Sequence, residues 1–146
     1  MEIRNLCIED YEELYSLWVS CAGMGLNNLD DSREGIAKFL ARNPETCFAA
    51  AEDGRLVGAI LAGNDGRRGY IYHTAVHPGC RKQGIGRRLV EAAMDSLKRC
   101  GIHKAALVVF GRNEAGNAFW EKMGFTVRDD LVYRNKAIAE MVRIDT

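Results

Sequence analysis

The chain has 146 residues, a formal net charge of zero and 47% hydrophobic residues. Those figures fit one globular domain over residues 1–146 and give no global field to favour nucleic acid. Five cysteines with no C-x-x-C pair argue against a disulfide framework and against a zinc site, so no metal is expected.

The acidic start holds no apolar leader, and no run of about 18 apolar residues is present to span a bilayer. The expected setting is cytoplasmic, without a membrane partner. Charge is nevertheless uneven. Residues 1–53 carry eleven acidic side chains against four basic ones, whereas Gly66 to Val90 holds six basic residues and no acidic one. An anionic ligand at the middle of the chain and a cationic acceptor near its first third would suit that division.

In chain order, Met1 to Leu6 alternates like a short strand. Asp10 can cap a helix carrying Tyr11, Leu14, Leu17, Trp18 and Cys21 on one face, with Glu12 and Glu13 in the first turn where the helix dipole favours acids. Gly23 to Asn28 breaks the pattern, and Ser32 to Ala41 gives a second helix. Strands follow over Cys47 to Ala51 and Leu56 to Ala62, joined by the hairpin turn Glu52-Asp53-Gly54-Arg55. After the Asn64-Asp65-Gly66 turn, Tyr70 to Val76 is aromatic and β-branched, a strand that Pro78 ends. These three strands are expected to form an antiparallel meander.

From Ile85 the apolar residues recur at Ile85, Leu89, Ala92, Ala93, Leu97 and Cys100, which is helical spacing, and Gly101 supplies a left-handed stop. Lys104 to Phe110 is a compact strand, expected to lie parallel to the strand before the helix. Glu114 to Met123 is a helix, and Phe125 to Ile138 alternates enough for one or two closing strands.

Between strand and central helix lies Arg81-Lys82-Gln83-Gly84-Ile85-Gly86. Two glycines at a helix start leave backbone N–H groups uncovered, and the dipole together with Arg81, Lys82, Arg87 and Arg88 makes the place positive. This is an anion cradle suited to phosphate. It is not a Walker A loop, because Ile85-Gly86-Arg87 stands where Lys and Ser or Thr would follow the last glycine. It is not a dinucleotide fingerprint either, because the third glycine of that spacing is replaced by Leu89.

The stretch resembles the pyrophosphate loop [Arg/Gln]-x-x-Gly-x-[Gly/Ala] of the GNAT superfamily of acetyl-CoA-dependent N-acetyltransferases, which follows a strand ending in Val-x-Pro; Arg81 to Gly86 fits it in full. A second similarity lies downstream. The family's Asn-x-x-Ala-x-x-[Phe/Leu]-Tyr-x-x-x-Gly-Phe meets Asn113-Glu114-Ala115-Gly116-Asn117-Ala118-Phe119-Trp120-Glu121-Lys122-Met123-Gly124-Phe125, agreeing at Asn113, Phe119, Gly124 and Phe125. With the order of elements, the resemblance spans nearly the whole chain.

The resemblance implies an α/β (α+β) GNAT fold, with a mixed, mostly antiparallel sheet of six to seven strands, splayed between the fourth and fifth and flanked by about four helices. It implies that acetyl-CoA is the acyl donor, its pantetheine arm lying in the splay. Val76 would then be a backbone ligand and oxyanion donor. The amides of Gln83, Gly84, Ile85 and Gly86 would hold the pyrophosphate beside Arg81 and Lys82. Asn113 would bond the cofactor arm and Phe119 would pack on it.

Two positions depart from the pattern. Trp120 stands where the family's thiolate-protonating tyrosine falls, and indole cannot serve as that acid. The family's strand glutamate is also missing from Tyr70-Ile71-Tyr72-His73-Thr74-Ala75. Tyr72 is ranked first as a substrate-side catalytic residue. Removal of a proton from an ammonium acceptor is open to Tyr72 or His73 through water, or to Glu114, with a satisfied core role the stronger reading for His73. His77 most simply ends its strand, and Cys80 is a passive loop residue. The acceptor is expected beside the first two helices, around Trp18, Met24, Leu26, Asn27, Asn28, Asp30 and Asp31.

The expected reaction is direct attack of a primary amine, on a small molecule or on a protein N-terminus or lysine, upon acetyl-CoA, by a monomer or homodimer. A non-catalytic CoA-binding sensor domain is the rival. A nucleic-acid module is disfavoured because the tyrosines sit on an internal strand rather than among the basic residues.

Overall fold

The computed structural model describes residues 1–144. Its core is one mixed sheet of five strands in sequential order: β1 (Glu2–Asn5), β2 (Phe48–Glu52), β3 (Arg55–Asn64), β4 (Gly69–Val76) and β5 (Ala105–Ala106). The first four pair antiparallel, β2 to β4 as the expected meander with β1 added at its edge, and β5 runs parallel to β4. Four α-helices flank it: α1 (Tyr11–Val19), α2 (Arg33–Arg42), α3 (Ile85–Arg99) and α4 (Glu114–Lys122).

Local signals account for most boundaries. Ser32 Oγ accepts the Gly35 N–H at 3.0 Å and starts α2, as a short hydroxyl does for an otherwise orphaned amide. The turn between β2 and β3 places Asp53 at φ 51° and Gly54 at φ 75°, the paired positive angles of a tight hairpin. Gly101, at φ 81°, closes α3 behind Lys98 and Arg99.

The sheet is covered on both faces, so β3 reads apolar along nearly its whole length. Ala59 and Leu61 point to a core shared with Leu14, Leu17, Trp18, Ile36 and Leu40 from α1 and α2. Ile60 and Ala62 point the other way, to Ile71 and to Ile85, Leu89, Ala93 and Leu97 of α3. Gly58 permits that packing. A β-carbon there would stand 3.1 Å from both Ile85 and Leu89.

The chain departs from the sequence expectation in two places. The compact strand predicted over Lys104 to Phe110 pairs only at Ala105 and Ala106, because the chain beyond Ala106 diverges from β4. The closing strands predicted within Phe125 to Ile138 do not form, so the sheet has five strands and not six or seven. That segment is exposed, with Val127, Val132 and Ile138 all outside the core. The chain instead returns later. Asn27 and Arg143 form an isolated antiparallel bridge, and Asn28 and Val142 exchange hydrogen bonds.

Candidate active site

Parallel pairing of β4 with β5 stops at Tyr70 opposite Ala106, so among the described residues the edge of β4 from Ile71 to Val76 has no strand beside it. His77 N–H donates to the Val57 carbonyl at 2.8 Å. Neighbouring residues of an antiparallel ladder direct their peptide groups to opposite sides, so those of Val76 face away from β3, into the opening. The Val76 carbonyl is already held: Arg81 Nε donates to it at 3.2 Å and the Cys21 thiol at 3.6 Å. Arg81 Nη2 in turn lies 3.5 Å from Cys21 Sγ.

The loop after β4 is shaped by its end residues. His77 Nδ1 accepts the Gly79 N–H at 3.1 Å and fixes a short 3-10 turn over Pro78–Cys80, which is the strand-ending role expected of it. Lys82 and Gly84 both take positive φ, 63° and 81°. Gly84 is the residue before α3 and offers no side-chain cap. Among the described residues, the amides of Gln83, Gly84, Ile85 and Gly86 donate to no protein acceptor. A β-carbon on Gly84 would meet nothing within 4 Å, so the cradle is open as well as positive. These features fit a pyrophosphate group.

The second sequence stretch arrives at the same place. A β-carbon on Gly86 would lie 3.1 Å from the Phe119 ring and 3.8 Å from Val76 Cγ2. Gly86 therefore lets α4, α3 and the end of β4 meet. Asn113 caps α4, its side-chain oxygen accepting the Gly116 N–H at 2.9 Å, which leaves its NH2 for a ligand. Trp120 is packed edge-on between Phe119 and Phe125, with 5.1 Å between ring centroids on each side. It is a packing residue. Glu114 sits exposed in the first turn of α4.

On the other side of β4, sequence reading had missed a bulge. Ala59 faces Ala75 but Leu61 faces Tyr72, so two residues of β3 span three of β4. His73 lies in the bulge with φ 28°, a conformation that a side-chain-bearing residue adopts only against strain. The strain is held by a short contact: His73 Nε2 lies 2.7 Å from Asp31 Oδ1, and Asp31 Oδ2 accepts the Asn27 N–H at 2.8 Å. Asp31 is 3% exposed. The His73 ring also meets Trp18 edge-on at 5.0 Å, and the Trp18 indole N–H is buried with no acceptor among the described residues.

Of the expected acceptor residues, Trp18 and Asp31 thus meet at His73. Asn27 orders its own loop, accepting the N–H groups of Leu29 and Asp30, and Asn28 holds the returning chain at Val142. Tyr72 packs on Tyr70 and on Phe39 of α2, with centroids 4.7 and 5.7 Å away. Burial pushes the Tyr72 phenol above its ordinary pKa, with Tyr133 and Asp30 adding to the shift. A phenol so shifted stays protonated near neutral pH.

No group of three or more metal-ligating side chains is found among the described residues, and no helix there is long and apolar enough to cross a membrane.

Known proteins share this arrangement. An acetyltransferase of Sodalis glossinidius (strain morsitans) is 33% identical over 140 residues, covering 96% of this chain and 97% of its own length. An acetyltransferase of Pectobacterium atrosepticum is 30% identical over 140 residues, covering 96% and 98%. Among solved structures, Ard1 from Thermoplasma volcanium superposes with a TM-score of 0.78 at 21% identity, covering 87% of this chain and 83% of that one. The PaiA N-acetyltransferase from Thermoplasma acidophilum, solved with coenzyme A, gives 0.74 at 23% identity, covering 88% and 91%. At those identities the structures establish the fold. The acetyltransferase (GNAT) family profile matches residues 11–125, and the chain belongs to that family of N-acetyltransferases.

Proposed function

We propose that the protein moves the acetyl group of acetyl-CoA to a primary amine by direct attack, with no covalent enzyme intermediate. The observation that carries this reading is the end of β4–β5 pairing at Tyr70 and Ala106, beside the uncapped start of α3 at Gly84. A pantetheine arm entering that opening would find the Val76 amide and the Asn113 NH2. Its pyrophosphate would meet the amides of Gln83 to Gly86 and the charges of Arg81 and Lys82, and Phe119 would close over the arm.

The attacking amine must be neutral, and the thioester oxygen must find a donor as it becomes negative. The Val76 N–H is our choice for that donor. For the proton we assign His73, acting through water. It lies three residues before Val76, is fixed by Asp31, and has 14% of its side chain exposed. The departing thiolate, with an ordinary thiol pKa of about 8.5, leaves without a tyrosine at the position of Trp120. The acceptor is a small-molecule amine or a protein N-terminus or lysine, and the protein acts in the cytoplasm.

Steady release of free CoA thiol from acetyl-CoA over a panel of amines tests this. Turnover with one class of amine, reduced by about 10²–10⁴-fold in His73→Gln, is the expected result. Acetyl-CoA binding without turnover on any amine would replace the enzyme by a CoA-binding sensor.

A further inference from the structure

We propose that residues 127–138 are the mating face of a homodimer, in which the run from Asp130 to Arg134 pairs antiparallel with the same run of a second copy across a two-fold axis at Val132. This inference is independent of the acetyl-transfer reading above.

The surface is larger than the chain's size accounts for. A compact protein of 16.3 kDa exposes about 7,500 Å², whereas this one exposes 9459 Å². The excess of about 2,000 Å² is more than the roughly 800 Å² that each partner gives up in an interface of standard size. Every residue from Thr126 to Ile144 is exposed. Val127, Leu131, Val132, Tyr133 and Ile138 each expose at least 61% of their surface, and so dense an apolar run left in water marks an interaction site.

The segment is held at both ends. Phe125 N–H donates to the Trp120 carbonyl at 2.9 Å. Asn28 N–H donates to the Val142 carbonyl at 3.0 Å, and Val142 N–H donates to Asn28 Oδ1 at 2.6 Å. Between these anchors the chain from Leu131 to Ala137 has no helix, turn or bend. Its peptide groups make no backbone hydrogen bond among the described residues, so they are open to an added strand.

The order of charges favours a second copy of this chain as that strand. Acids come first, Asp129 and Asp130, and bases follow, Arg134 and Lys136. Neither Arg134 nor Lys136 is in an ion pair among the described residues. Antiparallel pairing about Val132 sets Asp130 opposite the partner's Arg134 and diagonal to the partner's Lys136, and the two-fold axis repeats both contacts. Arg128 would face the partner's Lys136, but its own 2.8 Å pair with Asp130 offsets that charge. On the alternate face Leu131 meets the partner's Tyr133, so four apolar side chains close on one another. Parallel pairing in register would set each charge against its like. The run is thus complementary to itself in one orientation.

Sedimentation equilibrium across the micromolar range tests this, on the parent protein and on Asp130→Arg and Arg134→Asp. The parent is expected at twice the 16.3 kDa chain mass. Each variant sets like charges opposite one another and should raise the dimer Kd by about tenfold or more. An equimolar mixture of the two variants should recover the dimer, because every charge then meets its opposite. That recovery also shows that neither variant has lost its fold. A parent that stays monomeric throughout, a Kd that neither variant moves, or a mixture as weak as its separate components would overturn the proposal. Each of those results would leave acetyl transfer standing.

Discussion

The Phe119 ring lies 3.1 Å from the point where a β-carbon on Gly86 would stand, which ties the two sequence stretches of the site into one contact. Glycine at 86 is retained against helix propensity, since alanine inside a helix is favoured by about 1 kcal/mol. Gly86→Ala is therefore expected to lower the thermal midpoint, because the added methyl meets the ring more tightly than ordinary contact. In a Phe119→Ala background the same change should raise it, as only the propensity gain is left. A double-mutant cycle by thermal melts checks the reversal of sign.

Asp31→Ala is expected to cost about 3 kcal/mol, because the Asn27 N–H and the His73 ring lose the buried partner they share. Asp31→Asn, which can still accept from Asn27 and face His73, should cost less yet lower kcat/KM. Denaturant titration gives the stability effect, and acetyl-CoA turnover gives the catalytic one. Turnover identical to the parent's would confine Asp31 to a structural role.

Acid stability should depend on Asp10. Arg4 Nη1 and Nη2 donate to its two carboxylate oxygens at 2.9 Å each, and that pairing holds its pKa below the usual carboxylate value despite partial burial. A carboxyl lowered on folding stabilises the protein above its unfolded pKa of about 3.9, and the contribution fades as pH falls through the folded value. Asp10→Asn is expected to lose about 2 kcal/mol at pH 7 and progressively less as pH falls below the unfolded value. Urea unfolding at a series of pH values provides the check.

Much of this architecture was legible because periodicity and punctuation agreed. The period-2 and period-3.6 runs gave the meander and the helices, and Arg81 to Gly86 gave the cradle with its glycines in place. Three features were beyond such reading. The bulge at His73 changes register by one residue without altering composition, so nothing in Tyr70-Ile71-Tyr72-His73-Thr74 announces it. β5 looks continuous to Phe110 because strand propensity reports what a segment can do, and here the chain beyond Ala106 leaves β4. Alternation over Phe125 to Ile138 misled for the same reason: Val127, Val132 and Ile138 find no face to bury.

The indole of Trp120 is no acid by its chemistry, and its packing between Phe119 and Phe125 has no signal in the sequence. Tyr72 is ranked as a substrate-side catalytic residue on its strand position, and its packing on Phe39 and Tyr70 is a further contact that strand position does not announce.

The most direct test of the central claim is a thermal melt with and without saturating acetyl-CoA, on the parent protein and on Gly84→Glu. Ligand at about 100 times its Kd should add about 2.7 kcal/mol and raise the midpoint by about 5–10 °C. Gly84→Glu, which puts a carboxylate into the open cradle at a residue with φ 81°, should melt lower on its own and show no rise with ligand. A rise of equal size in both proteins would contradict the placement of the pyrophosphate at Gly84, and no rise in the parent would contradict the acetyl-CoA site itself.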